Sequence, residues 1–249
     1  MNNKKTYDEI YLENLHEIFG ATKQRSFGLL NLVANDVIAD IGCGIGKDVW
    51  KMALSGARVF GIDHDPEFIR IAREKNGSPR IEYICCEANQ IPLDSELLDK
   101  IRADRIFQHI DDPEPVIREA YRILKPGGNL QIIDADYLSM SMFLDDKELE
   151  RKIIEAFACK RFNGGSQLRK IPGLLGANNF EISSISIDNY IFKGLEEASS
   201  LLRFDKVIKE EFTKGNISSR EFDTWNLVKN QHFHLSVNLM LIMAKKLSI

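Results

Sequence analysis

Short apolar runs alternate with helix-like segments between residues 37 and 135, and this alternation leaves few folds open to the chain. The runs have the length of strands, and they are Val37 to Ile41, Arg58 to Ile62, Ile81 to Cys86, Leu97 to Ile101 and Asn129 to Ala135. Strands separated by helices are joined by right-handed crossovers into a parallel sheet covered on both faces. We therefore predict a doubly wound α/β fold.

Local signals mark the ends of the helices between these strands. A helix-capping aspartate followed by proline occurs at Asp65 and again at Asp112. The first of these helices is expected to stop at Asn76, and the second at residues 125–128, which read Lys-Pro-Gly-Gly. Both helices carry an apolar stripe at the spacing of one helix face, which the sheet would bury.

Composition narrows the class of protein. The chain has 249 residues, 44% of them hydrophobic and 28% charged, enough for one large α/β domain or two small ones. The net charge of -4 indicates no excess of basic residues that would bind a nucleic-acid backbone, so we expect no nucleic-acid partner. No window approaches the roughly 18 consecutive apolar residues of a membrane span, so we expect no membrane partner and a cytoplasmic location. The four cysteines lack C-x-x-C spacing and are expected to be reduced.

The turn after the first strand is the first candidate for a ligand site, because ligands of doubly wound sheets bind beyond the carboxyl ends of the strands. It holds Gly42, Gly44 and Gly46. A dinucleotide fingerprint needs a glycine where this chain has Lys47, which argues against a bound dinucleotide. Asp63 ends the second strand at the separation expected for a carboxylate that binds ribose hydroxyls. A ligand containing ribose fits, although the glycines could also serve a tight turn alone.

Several motifs occur together in a recognisable order: "VIADIGCGIG", "VFGIDHDPEFIRIAREK", "CCEANQIPL", "IRADRIFQHIDDPEPVIREAYRILKPGG" and "LQIIDADY". Residues 37–137 thereby resemble class I S-adenosylmethionine-dependent methyltransferases, in the small-molecule group that includes ubiquinone and menaquinone biosynthesis methyltransferases. The segments "SQLRKIPGLLGANNFEISSISID" and "LSVNLMLIMAKK" more weakly resemble the family's last helix and strands. The resemblance implies a Rossmann-like, seven-stranded, mostly parallel sheet with an antiparallel last strand, and helical additions that form a substrate cap.

The resemblance implies S-adenosyl-L-methionine as the cofactor and assigns its contacts. Asp40 and the backbone of Gly42, Cys43 and Gly44 would enclose the amino-acid end of the cofactor, since glycine lets a chain approach a ligand closely. The family's acidic residue on the ribose corresponds to Asp63. The first motif would therefore hold one end of the cofactor and the second strand its middle.

Three further positions follow from the resemblance. His64 would lie beside the adenine, and Glu87 with Ala88 would contact its amino group, although the family most often has Gly-Asp-Ala where this chain has Cys86-Glu87-Ala88. Arg102, at the end of the fourth strand, would lie near the cofactor's carboxylate or the substrate. A guanidinium can bind a carboxylate through two hydrogen bonds, although a surface arginine is the alternative.

Methyl transfer is an in-line displacement at a carbon that the sulfonium makes electrophilic. Positioning of the two reactants can supply on the order of 7 to 11 kcal/mol, so a dedicated base is optional. His109 follows the fourth strand, where the resemblance places residues that face the methyl group. It is the candidate catalytic residue, as a base or as a group that orients the substrate, or else it only caps the loop before Asp111.

Two groups of residues, each considered alone, suggest a site for a metal ion. Asp104 and Asp134 end adjacent strands and could hold a divalent cation, as in catechol-type methyltransferases, but Arg102 brings positive charge and no further ligand is evident. Asp134 more simply belongs to the substrate cleft or orders its loop, as does Asp136 two residues later in the same motif. His232 and His234 form a pair without a third ligand. We predict no metal.

The resemblance also divides the chain. Residues 1–30 would be an N-terminal helical lid that brings Tyr11 over the cofactor, although a helix that only packs on the core is an equal alternative. Residues 31–249 would be the methyltransferase domain, with helical cap segments at about 141–165 and 194–232. Apolar and aromatic residues in the cap segments favour a small organic methyl acceptor. An Asn-Pro-Pro-Tyr-type segment for DNA adenine methylation is absent from the sequence. An NAD-dependent oxidoreductase and a non-catalytic protein that binds S-adenosylmethionine remain alternatives.

Overall fold

The computed structural model describes residues 18–142, 144–161, 165–192, 194–229 and 234–248. Its described residues form one seven-stranded sheet with the strand order β3-β2-β1-β4-β5-β7-β6. The strands are β1 Val37–Ile41, β2 Arg58–Asp63, β3 Ile81–Cys85, β4 Leu98–Asp104, β5 Leu124–Ser141, β6 Phe180–Phe192 and β7 Leu235–Lys246. The first five are parallel, and β7 is antiparallel to both β5 and β6. The predicted fold class is confirmed.

Helices cover both faces of the sheet. In the described ranges the α-helices are Gly20–Leu30, Lys47–Ala53, Pro66–Lys75, Glu114–Ile123, Lys147–Glu155, Ile171–Ala177, Leu195–Leu202, Phe204–Thr213 and Ser219–Val228. A π-helical stretch, Ala156–Arg161, continues the fifth of these, and short 3-10 helices occupy Phe107–His109 and Gln167–Lys170. No helix in the described ranges combines the length and the apolar composition that a membrane span requires.

The capping signals in the sequence set the helix starts to within one residue. The Asp65 carboxylate accepts from the backbone N of Glu67 at 2.8 Å and of Phe68 at 3.3 Å, as an N-cap does. The Asp112 carboxylate accepts from the N of Glu114 at 3.2 Å, but the helix begins one residue later than predicted, at Glu114. Helix starts can be predicted from the sequence because the unpaired N–H groups of the first turn need a partner close in sequence.

The expected limits of two strands are wrong. β4 continues three residues past Ile101, and β5 begins at Leu124 and ends at Ser141 rather than spanning only Asn129 to Ala135. The Lys-Pro-Gly-Gly segment therefore does not end the preceding helix, which stops at Ile123; it lies inside β5 at a break in its pairing with β4. β5 is long because it pairs with β7 as far as Ser141, a partner that lies a hundred residues away in sequence.

Helices that follow β5 and β6 have a hydrophobic core of their own. Phe157 packs on Phe204 with ring centroids 4.6 Å apart, and Phe204 stacks on Trp225 at 6.3 Å. All three side chains are fully buried, and burial of each contributes about 1.5 to 3 kcal/mol. The same core includes Tyr137 and Leu239 from the extended ends of β5 and β7. The two segments predicted to form a cap are thus helical and packed together.

The helix Gly20–Leu30 packs against the half of the sheet that contains β5 and β6. The side-chain nitrogen of the buried Gln131 on β5 donates to the carbonyl oxygen of Ser26 at 2.9 Å. Arg25 forms an ion pair with Asp188 on β6 at 2.8 Å, and the Thr22 hydroxyl also bonds Asp188. These contacts fix the helix in the position from which Lys23 reaches the functional site.

Candidate functional site

A cavity of about 490 Å³ opens at the carboxyl ends of β1, β2 and β4, on the side of the sheet where the strand order reverses. Parallel sheets bind ligands at this place. The cavity brings together every described residue that the sequence assigned to the site: Asp40, Gly42, Cys43, Gly44, Asp63, His64, Glu87, Ala88, Arg102 and His109. Tyr11 lies outside the described residues.

The glycine turn is fastened to β2 through its backbone. The N–H groups of Gly42 and Cys43 both donate to the carbonyl oxygen of Ile62, at 2.8 and 2.9 Å. The N–H of Gly44 donates to the carboxylate Oδ2 of Asp63 at 2.8 Å. Asp63 thus holds the turn with one oxygen, and each carboxylate oxygen keeps a further lone pair for a ligand.

Two of the three glycines are required by packing alone. Gly42 and Gly46 have φ of 75° and 78°, in the left-handed region. A Cβ at Gly42 would overlap Cγ2 of Ile106, and one at Gly46 would overlap the hydroxyl of Tyr83. The interpretation that the glycines serve a tight turn therefore explains these two positions. Gly44, at φ 52°, is the one whose N–H meets the predicted ribose-binding carboxylate.

The adenine side of the predicted site is open. Oδ1 of Asp63 accepts from the N of Asp65 at 3.0 Å and lies 3.4 Å from Nδ1 of His64. The His64 side chain is 73% exposed, so it lies at the rim of the cavity. The loop after β3 joins the same rim, because the N of Cys86 donates to the carbonyl oxygen of Asp63 at 3.1 Å and the exposed Glu87 follows.

Arg102 lies at the floor of the cavity. Its side chain is 1% exposed, and its two Nη atoms contact Asp40 at 3.0 Å, Asp104 at 2.6 Å and Asp48 at 3.2 Å. The cation is also 5.2 Å from the centre of the Phe27 ring. The sequence suggested capture of a ligand carboxylate by this guanidinium. Its contact with a ligand stays a prediction, but the alternative of a surface arginine is wrong, because Arg102 is buried and holds Asp40 in place.

Two more cations complete the charge cluster. Lys23 from the helix Gly20–Leu30 contacts Asp48 at 2.5 Å and Asp104 at 3.3 Å, and Nε of Arg105 contacts Asp104 at 3.1 Å. Buried ion pairs of this kind are costly to break, because removal of one partner leaves a charge without compensation. The cluster ties the N-terminal helix, β4 and the turn after β1 into one unit around the cavity.

Asp40 and Asp104 are the two aspartates closest to Arg102, and their pKa values are shifted in opposite directions. Burial raises the pKa of Asp40 to about 6; the positive charge of Arg102 acts to lower this pKa, and the negative charges of Asp48 and Asp104 act to raise it. Burial also acts to raise the pKa of Asp104, but Lys23, Arg102 and Arg105 together hold it well below its ordinary value. Of these two carboxylates, Asp40 is the one that changes charge near neutral pH.

The wall opposite the glycine turn is built from the residues after β4. The side-chain nitrogen of Gln108 donates to the carbonyl oxygen of Arg105 at 3.2 Å and lies 3.0 Å from Nε2 of His109. Its side-chain oxygen accepts from the Tyr137 hydroxyl at 2.8 Å. The backbone N of Gln108 donates to the buried carboxylate of Asp134 at 3.1 Å. His109, the predicted catalytic candidate, is exposed to the cavity. Its neighbour Gln108 contacts its ring and is itself bound by Asp134 and Tyr137 of β5.

The carboxylates suggested as metal ligands have other partners. Asp134 accepts from the backbone N of Ala135 at 2.8 Å as well as from Gln108, and burial raises its pKa to about 7. Asp136 is bound by Arg169 through Nε at 3.1 Å and Nη2 at 2.9 Å, so it orders the segment before the helix Ile171–Ala177. Asp104 is paired with cations.

Within the described ranges, no three acidic, histidine or cysteine side chains lie close enough to hold a metal ion. His234 is exposed just before β7, and His232 lies outside those ranges.

Several cavity residues escaped the sequence reasoning, among them Lys23, Asp48 and Gln108. Asp48 directly follows the glycine turn, and Gln108 precedes His109, so their positions beside recognised motifs were a usable signal. Lys23 belongs to no motif. It reaches the cavity only because its helix packs across β5 and β6, which no local pattern reveals.

Comparison with known proteins places this site in a family. Residues 39–132 match the family model described as a methyltransferase domain. The mitochondrial ubiquinone biosynthesis O-methyltransferase of Rattus norvegicus is 34% identical over 113 residues, 43% of this chain and 33% of that protein. A 37.1 kDa protein in a transposon of Streptomyces fradiae is 26% identical over 246 residues, 96% of this chain and 71% of that protein. The chain thus spans only a third of the rat enzyme.

A solved structure matches the fold over nearly the whole chain. Phosphoethanolamine N-methyltransferase 2 of Haemonchus contortus, in complex with phosphomonomethylethanolamine and S-adenosylhomocysteine, superposes with a TM-score of 0.60 at 19% identity. The match covers 98% of this chain and 58% of that chain. The sheet order, the glycine turn and these matches agree: the chain has the fold of S-adenosylmethionine-dependent methyltransferases, and residues 39–132 match a methyltransferase domain.

Proposed function

We propose that the protein transfers the methyl group of S-adenosylmethionine to a small organic molecule bound in the 490 Å³ cavity. The observation that carries the proposal is the meeting of the glycine turn, Asp63 and His109 at one cavity beyond the strand ends. When bound, S-adenosylmethionine would supply an electrophilic methyl group, which an electron pair on the acceptor would displace from sulfur to leave a neutral thioether. The accepting atom is oxygen, nitrogen or carbon.

The cofactor contacts assigned from the sequence fit the geometry of the cavity. Asp63 keeps lone pairs for the ribose hydroxyls while it anchors Gly44, so the ribose and the turn would be held by one carboxylate. Asp40 would face the ammonium group of the methionine part, where a negative charge is favoured. His64, Glu87 and Ala88 form the open rim, which suits an adenine ring that stays partly exposed.

The acceptor would lie against the wall formed by Ile106, Gln108, His109 and Ile110. Two isoleucines and two polar side chains form a surface for a small molecule of mixed character, and the volume lies within the range of small-molecule sites. The helical cap packs against the extended ends of β5 and β7, so we place its function in shielding this side from water. In a dry site of this kind, orientation of the two reactants supplies most of the rate.

Calorimetric titration with S-adenosylmethionine, S-adenosylhomocysteine and NAD, side by side, tests the proposal. Micromolar binding of the first two without NAD is the expected result, and a screen of small acceptors for release of S-adenosylhomocysteine then identifies the substrate. Binding of NAD alone would contradict the proposal. Tight cofactor binding with no turnover across oxygen, nitrogen and carbon acceptors would instead indicate a non-catalytic binding protein.

A further inference from the structure

β6 is the last strand of the sheet in the described residues, and one of its long sides faces away from the sheet. Among the described strands it pairs only with β7, so the N–H and C=O groups of alternate residues point outward. A register shift between Ile182 and Ser184 marks a bulge, and from Ser184 to Phe192 the pairing is regular. This stretch holds neither lysine nor proline, two residues with which proteins block edge strands. The edge can therefore accept another strand.

The two faces of this regular stretch differ in what covers them. One face carries Asp188 and Tyr190, and the helix Gly20–Leu30 covers it through bonds from Thr22 and Arg25 to these side chains. The opposite face carries isoleucines that are 46 to 58% exposed, namely Ile185, Ile187 and Ile191. Three of the ten exposed large hydrophobic side chains in the described ranges thus lie on one face of one strand, and they form an apolar stripe beside an open edge.

We infer that β6 pairs antiparallel with β6 of a second copy of this chain, about a two-fold axis at Asn189. In this register Ile187 lies opposite Ile191 of the second copy, and the symmetry repeats the contact, so two isoleucine pairs form on the exposed face. Asp188 lies opposite Tyr190 of the second copy, and Asn189 lies opposite its own equivalent. An axis one residue earlier would place two Asp188 carboxylates directly opposite each other, which is destabilising. The side-chain pattern of the strand is therefore complementary to itself.

Charge also favours a second copy over an unrelated strand. Arg25 contacts Asp188 through Nη2 at 2.8 Å, and within the described ranges neither its other nitrogens nor Oδ1 of Asp188 have a hydrogen-bond partner. Residues that lie diagonally across two strands are about 7 to 8 Å apart, within reach of a long side chain, so Arg25 of each copy can also bind Asp188 of the other. The contact then holds two cations and two anions, and no charge is buried without a partner.

Sedimentation velocity of the full chain measures the assembly state without cofactor or acceptor. We expect the wild type to sediment at twice the 28.4 kDa mass of one chain. Ile187→Lys places a charge in the isoleucine contact and should sediment as a single chain. Leu227→Lys makes the same kind of change at a 70% exposed position on the helix Ser219–Val228 and should leave the dimer intact. Urea unfolding of both variants checks that they remain folded.

A cysteine at the axis tests the register of the pairing. Asn189→Cys places two thiols opposite each other, with Cβ atoms about 4.5 to 5.5 Å apart, so mild oxidation should link the two copies through a disulfide. The wild type has exposed cysteines at Cys85 and Cys159, and it measures the background of other cross-links under the same conditions.

A wild type with the mass of one chain would overturn the inference and would leave the isoleucines to another occupant. A dimer that Ile187→Lys leaves intact would also overturn it, because the contact between copies would then lie elsewhere. If Asn189→Cys gives no more cross-linked dimer than the wild type, the axis at Asn189 is wrong. None of these results depends on methyl transfer, so they are distinct from a failure of the proposed function.

Discussion

Protonation of Asp40 should control cofactor affinity between pH 5 and pH 8. The pKa of this carboxyl is raised to about 6 by burial, and its proposed partner is the ammonium group of the cofactor. Asp40 binds that group as a carboxylate, so affinity is present above pH 6 and falls as pH falls. With a pKa of 6, the unprotonated fraction at pH 5 predicts a Kd about 11 times larger than at pH 8.

The assay is calorimetric titration of S-adenosylhomocysteine at four pH values between 5 and 8. A series of buffers with different ionisation enthalpies should show release of about 0.5 proton per ligand at pH 6, and almost none at pH 8. In Asp40→Asn the Kd for S-adenosylhomocysteine should no longer change with pH around the pKa of about 6. The two histidines of the cavity serve as controls, and His64→Gln and His109→Asn should keep the wild-type slope.

A wild-type Kd that stays constant between pH 5 and 8 would refute the assignment of Asp40 to the ammonium group. The same conclusion follows if Asp40→Asn keeps the full pH dependence. The folded-state pKa also predicts an effect on stability in the opposite sense. Since that pKa is raised, the contribution of Asp40 to stability is present below the unfolded pKa of 3.8 and is lost as pH rises through 6, by roughly 3 kcal/mol in total.

Three further substitutions test other parts of the site. Gly42→Ala should lower the free energy of unfolding in urea by roughly 1 to 3 kcal/mol, because its Cβ overlaps Ile106 and its φ is positive. Adding Ile106→Ala to this variant should restore only the part of the loss that comes from the overlap. Asp63→Ala should weaken S-adenosylhomocysteine binding by roughly 1 to 3 kcal/mol in calorimetry, and an unchanged Kd would remove Asp63 from the ribose. Arg102→Leu leaves three buried aspartates without their common cation, so urea unfolding at pH 7 should show a loss of about 3 to 5 kcal/mol. That loss should be smaller at pH 5, where Asp40 is mostly protonated, and an equal loss at both pH values would contradict the charge-based explanation.

The sequence by itself determined the parts of this protein that depend on neighbours in the chain. β1 was predicted at its observed limits, and the cap at Asp65 was predicted as observed, because a strand run and an N-cap are set within a few residues. The glycine turn was equally predictable from the sequence. Gly42 and Gly46 must be glycine because their φ is positive and a Cβ would overlap a neighbour, so the turn leaves its mark in the sequence.

Only the tertiary structure decided features that join distant parts of the chain. β5 ends at Ser141 instead of Ala135 because β7 supplies the missing hydrogen-bond partners. Arg102 is a buried centre of charge and not a surface arginine, because Asp40, Asp48 and Asp104 reach it from three different elements. Local patterns record hydrogen bonds between near neighbours, whereas charge pairing is set by side chains that only folding brings together.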